Sequence, residues 1–144
     1  MTSEELVKAR VHHYFWDLDI QCGRSSLLCL GELFDTTIEP QTVRAAIGMA
    51  GAGCYRAQCG LVEGSLMFLG VFFSQRGKSD KEIYQICYRF ANEFTRKFSS
   101  LRCYDLRPNG FTPVDPPCLC EQFAVEAILF GYHFVQGILE ADAT

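Results

Sequence analysis

The sequence predicts an all-α, single-domain helical bundle of about five to six helices over residues 1–144. Apolar residues recur at i, i+3, i+4 spacing through most of the chain. Capping boxes at Thr2–Glu5 (T-x-x-E) and Ser79–Glu82 (S-x-x-E) mark helix starts, because hydroxyl and carboxylate each satisfy an orphan amide. No segment shows the strict alternation of a half-buried strand.

Behind the Thr2 cap, Val7, Val11, Tyr14 and Leu18 form the expected buried stripe of the first helix. His12 and His13 are adjacent and so point in different directions around it, which suits a surface or rim better than a shared metal. Asp17 to Gly23 is the junction to a second helix, with Cys22, Ser26, Cys29 and Leu33 on one stripe and Leu27, Leu30 and Phe34 widening it. Pro40 suits the first position of a short third helix running to about Met49.

The stretch GMAGAGCYRAQCGLVEG, Gly48 to Gly64, is glycine-rich backbone that must turn with positive φ or approach something closely. It reads as a loop delivering Cys59 to the first turn of a buried helix, Cys59 to Gln75, on which Glu63 is the only charge. Gly60 and Gly64 share one face, so another helix or a bound group is expected to come close there, and Gly53 is placed with them as backbone open to a bound group. Glu63 is expected to reach solvent, the alternative being a partner near the site, because an unpaired buried carboxylate is expensive. Gly77 closes this helix, and Ser79 caps the next, with stripe Ile83, Cys87, Phe90, Phe94 and Phe98.

The serines before Cys103 predict a cap that sets this thiol at the start of a short helical turn. Arg102 and Arg107 lie close enough to hold a thiolate or another anion, although the surface is the ordinary place for arginine. Pro108 to Pro117 reads as an irregular loop. The last helix begins near Pro117 and buries Phe123, Ala127, Phe130, Phe134 and Ile138. Cys118 and Cys120 both fall in its first turn, about 200° apart, so one small site takes only one of them. The stripe extended backward favours Cys120 and leaves Cys118 as the alternative.

Composition narrows the function. With 13 basic against 17 acidic residues, a net charge of -4 and no basic run, nucleic acid is not an expected partner. The start MTSEELVKAR is acidic and polar where a secretory signal is basic and then apolar, so the expected location is cytoplasmic. The longest uninterrupted apolar run, Leu66 to Phe73, is far short of the roughly 20 residues that span a bilayer, and no membrane insertion is expected. The three histidines and the carboxylates form no acid-base or Ser-His-Asp constellation. Eight cysteines in a reducing compartment point to metal binding, redox chemistry or core filling, and no C-x-x-C pair is present.

Four of those cysteines, Cys22, Cys59, Cys103 and Cys120, fall at predicted helix starts on four segments, whereas Cys29 and Cys87 lie inside apolar stripes as core filling. Free amides and the dipole at a helix start favour a thiolate. Four converging thiolates suit an iron-sulfur cluster or another soft metal, with backbone amides of the glycine loop turned to the sulfurs, or else metal-free thiol-disulfide pairs. A non-catalytic helical interaction module with core cysteines is the remaining reading.

With these residues in place, the chain resembles a family of redox-active proteins labelled by its cysteine pattern, C_GCAxxG_C_C. Cys22 in DIQCGRSSLLCLGELF corresponds to the first cysteine and Cys59 in CGLVEG to the motif cysteine. Cys103 in FSSLRCYDL corresponds to the third and Cys120 in CLCEQFAVEAIL to the last. Leu61 stands where the motif carries a small residue, and Gly23 where alanine is common. The resemblance spans nearly the whole chain and implies a redox role. Related domains joined to electron-transfer modules favour electron transfer with a redox partner protein. Twelve phenylalanines and six tyrosines leave aromatic surface for a homodimer.

Overall fold

The computed structural model describes residues 1–107 and 116–144, so most of the predicted Pro108–Pro117 loop lies outside the described residues. The long helices are α1 (Ser3–His12), α2 (Cys22–Leu33), α5 (Gly60–Gln75), α6 (Asp80–Phe98) and α8 (Glu121–Ala143). Between them lie the short α3 (Pro40–Ala45), α4 (Gly51–Cys54) and α7 (Cys103–Leu106), and a 3₁₀ turn, Pro117–Cys120, leads into α8. Among the described residues there is no strand, only an isolated antiparallel bridge between Gln58 and Arg102. The all-α expectation is borne out.

Both capping boxes form. The Glu5 amide donates to Thr2 Oγ1 and the Thr2 amide to Glu5 Oε2, each at 3.1 Å, and Ser79 and Glu82 repeat the exchange ahead of α6. Pro40 is the first residue of α3, as expected, but this helix ends at Ala45 rather than near Met49.

The first helix departs from a simple stripe. A π turn over His13–Asp17 inserts an extra residue into the helical phase, so Phe15 turns into the core and Leu18, expected there, is 51% exposed. His12 and Trp16 are exposed, and both reach Glu121 Oε1, at 2.9 and 3.0 Å, tying the end of α1 to the start of α8. A forked pair from Arg10 to Glu32, with both N–O distances 2.7 Å, ties α1 to α2.

α2 and α5 pack with their backbones nearly touching. A Cβ on Gly64 would strike the Gly23 carbonyl oxygen, and one on Gly23 would strike that of Met49. Deeper in the same interface Ser26 Oγ and Ser65 Oγ lie 2.9 Å apart, and both donate to the Leu61 carbonyl, so the buried hydroxyls are satisfied. α6 and α8 close the bundle around α5 through a phenylalanine cluster in which Phe94 and Phe98 have ring centroids 4.6 Å apart. Cys29 is buried as expected, whereas Cys87 is only half-buried. By length and composition Pro117–Ala143 would be long and apolar enough to cross a membrane; here Ala124, Ala127, Ile128 and Val135 are buried in the bundle core.

Two measurements test this packing. Gly64→Ala forces a side chain into backbone and is expected to cost more than the roughly 1 to 3 kcal/mol of ordinary overpacking. Gly70→Ala, where the space is open, is expected to gain up to about 1 kcal/mol of helix propensity; urea denaturation distinguishes the two. Burial pushes the Cys29 thiol to about 12, and Tyr14 also to about 12. Their folded forms hold protons that the unfolded chain releases, so this contribution is complete below about pH 9 and is lost as pH rises towards 12. The thermal midpoint is expected to fall over that window, with a shallower slope in Cys29→Ala.

Candidate functional site

The glycine-rich loop folds as a left-handed turn. Gly51, Ala52, Gly53 and Cys54 have φ of 71, 58, 67 and 66°, followed by Arg56 at 68°. Ala52 and Cys54 carry a Cβ that disfavours this region by roughly 1 to 2 kcal/mol each. The turn is held by Glu63, whose Oε1 accepts the amides of Gly51 at 2.9 Å and Ala52 at 3.4 Å. Glu63 is half-buried, so the expectation that it simply reaches solvent is corrected: it is the acceptor for this turn. Gly53 is exposed on the turn, with open space around it, and is not part of the described cavity lining.

All four singled-out cysteines stand at helix starts. Cys22 opens α2, Cys59 caps α5, Cys103 opens α7, and Cys120 ends the 3₁₀ turn and caps α8. Around the Gln58–Arg102 bridge, the Cys59 amide donates to the Leu101 carbonyl and the Cys103 amide to the Ala57 carbonyl, both at 2.7 Å, which sets these two cysteines side by side. Cys22 meets Cys59 through Gly60, where any side chain would collide with the Cys22 sulfur. The predicted serine cap on Cys103 is displaced: Arg102 is the capping residue, and Ser100 Oγ accepts its amide at 3.0 Å while donating to Asp105 at 2.8 Å.

Cys22, Cys59, Cys103 and Cys120 all line one cavity of about 30 Å³, walled by Leu61, Leu106, Pro117 and Phe123 and bordered by Arg56 and Arg107. Cys118 packs against the core instead, so of the two alternatives Cys120 is the cavity residue. Gly60 abuts the site, whereas Gly64 serves helix packing. Leu61, in place of a small residue, is buried and forms part of the wall. Arg102 is exposed, but Arg107 is buried, with Nη1 donating to Cys120 Sγ and Nη2 to the Pro116 carbonyl, each at 3.2 Å. Nothing local separates these two arginines in sequence. The free thiol of Cys54 is exposed on the left-handed turn.

At Cys22 and Cys59 burial opposes the thiolate expected at a helix start. Burial pushes Cys59 up to about 12, although amides of Leu61 and Val62 donate to it and pull the other way. Cys22 is pushed well above the ordinary thiol range, first by burial and then by the neighbouring Cys59, Cys120 and Cys103. Desolvating a full charge outweighs the attraction of a helix end. Among the described residues, no group of three or more His, Cys, Asp or Glu is arranged to hold a single metal ion.

Fold and site define a helical cysteine-rich protein in which thiols from four chain segments meet at one buried cavity. Residues 20–130 match the family described as "Putative redox-active protein (C_GCAxxG_C_C)", and the chain belongs to this family. No curated protein and no solved structure matches it.

The clamp on the left-handed turn is testable. Glu63→Ala leaves the buried Gly51 amide without its acceptor and is expected to cost about 1 to 3 kcal/mol in chemical denaturation. Glu63→Gln, which keeps a carbonyl acceptor, is expected to lose less.

Proposed function

We propose that the protein transfers electrons through an iron-sulfur cluster held by Cys22, Cys59, Cys103 and Cys120. The observation that carries this reading is the gathering of four thiols from four segments on one cavity. The donor set suits the group: the described lining contains these sulfurs and no histidine or carboxylate, and all-sulfur ligation is the habit of iron-sulfur centres. The reading rests on this donor set and on the shared cavity, since among the described residues no group of three or more His, Cys, Asp or Glu is already arranged to hold a metal ion.

Such a group would supply one-electron transfer. The chain's own residues do the rest. Gly60 leaves room for the Cys22 sulfur, the Leu61 and Val62 amides donate to Cys59, and Leu106, Pro117 and Phe123 restrict water. Burial raises the Cys22 and Cys59 thiols, so a cluster held there would have to displace their protons. A separate redox protein in the same reducing compartment serves as donor or acceptor.

The second reading, metal-free thiol-disulfide exchange, is favoured by the backbone bridge that sets Cys59 beside Cys103, both free thiols. Protein prepared without oxygen separates the two by iron and acid-labile sulfide analysis and a visible spectrum. Under cluster ligation, serine at any one of the four positions is expected to lower iron content sharply, while Cys54→Ser and Cys87→Ser leave it unchanged. Iron-free protein with a redox couple that needs only two of the four cysteines would establish the dithiol reading. Absence of both iron and any couple would reject both.

A further inference from the structure

We propose that Arg107 sets the reduction potential of the four-cysteine site, holding it higher than the sulfurs alone would. This rests on the reading of the site as a one-electron centre. Arg107 is 7% exposed, and its guanidinium is pinned by two arms, one on Cys120 Sγ and one on the Pro116 carbonyl, each at 3.2 Å. A charge fixed against a sulfur in a buried site is screened little by water. Reduction adds one electron from a one-electron donor such as dithionite, breaks no bond and leaves the site one unit more negative. A fixed cation with a donor on a ligand sulfur stabilises that state over the oxidised one, and hydrogen bonds to sulfur and solvent exposure are among the factors that set such potentials.

The geometry also separates this role from a structural one. Loosening the cavity would admit water, which favours the more highly charged reduced state and moves the potential upward. Removing the cation moves it downward. Arg107→Lys keeps the charge and loses the planar fork; Arg107→Gln keeps a neutral donor; Arg107→Met loses both.

The test is a spectroscopic redox titration, with dithionite as reductant, of anaerobically prepared wild type and the three variants, with circular dichroism as the check on folding. The expected result is a more negative midpoint in Arg107→Met. At fixed potential the oxidised-to-reduced ratio rises about tenfold, or about 59 mV for a one-electron couple. Arg107→Gln is expected to shift in the same direction by less, and Arg107→Lys to stay nearest to wild type. Should Arg107→Met fail to fold, the glutamine and lysine variants carry the same comparison. A wild-type couple that is unmoved or moves upward on loss of the cation overturns the role of Arg107 and leaves the electron-transfer reading intact. A wild type without any one-electron couple overturns that reading, and this inference with it.

Discussion

The backbone contact between α2 and α5 is the constraint on which the rest depends. Gly23, Gly60 and Gly64 let the two helices approach until main chain meets main chain, and no residue with a Cβ fits at these places without displacement. This approach puts the Cys22 sulfur against Gly60, one residue from Cys59. It also brings the Met49 carbonyl against the start of both helices, so the chain leading into the left-handed turn is anchored where the cavity begins. Helix contact and site geometry are one feature here, which explains why glycines cluster around the motif cysteine.

The competition at Cys59 shows which electrostatic effect governs the site. A helix end stabilises an adjacent charge by at most about 2 kcal/mol, while burying an isolated charge costs several times as much. The amides of Leu61 and Val62 are turned to the Cys59 sulfur, but burial still raises the thiol to about 12. Helix starts therefore orient the sulfurs and supply donors. They do not by themselves ionise Cys22 and Cys59.

What the sequence made legible was local. Helical stripes, capping boxes and the glycine pattern were sufficient to place four cysteines at helix starts and Cys29 in the core, because each of those signals acts within a few turns. The missed features depend on contacts between distant segments. Glu63 reads as a solvent-seeking charge until the left-handed turn folds back onto it, and Arg107 reads like Arg102 until Cys120 closes over it. Gly53 carried the same signature as Gly60, and only the tertiary structure shows one turning in solvent while the other lies under a sulfur. The π turn that exchanges Leu18 for Phe15 is likewise a tertiary choice, made where His12 and Trp16 both reach Glu121.

The Gln58–Arg102 bridge has a consequence for how this protein diverges. The pairing that sets Cys59 beside Cys103 is made by main-chain amides and carbonyls, and owes nothing to the exposed side chains of Gln58 and Arg102. Those two positions can drift in size and sign without disturbing the register between the cysteines. A lineage can thus remodel the charge beside its most buried chemistry while inheriting the sulfur geometry unchanged.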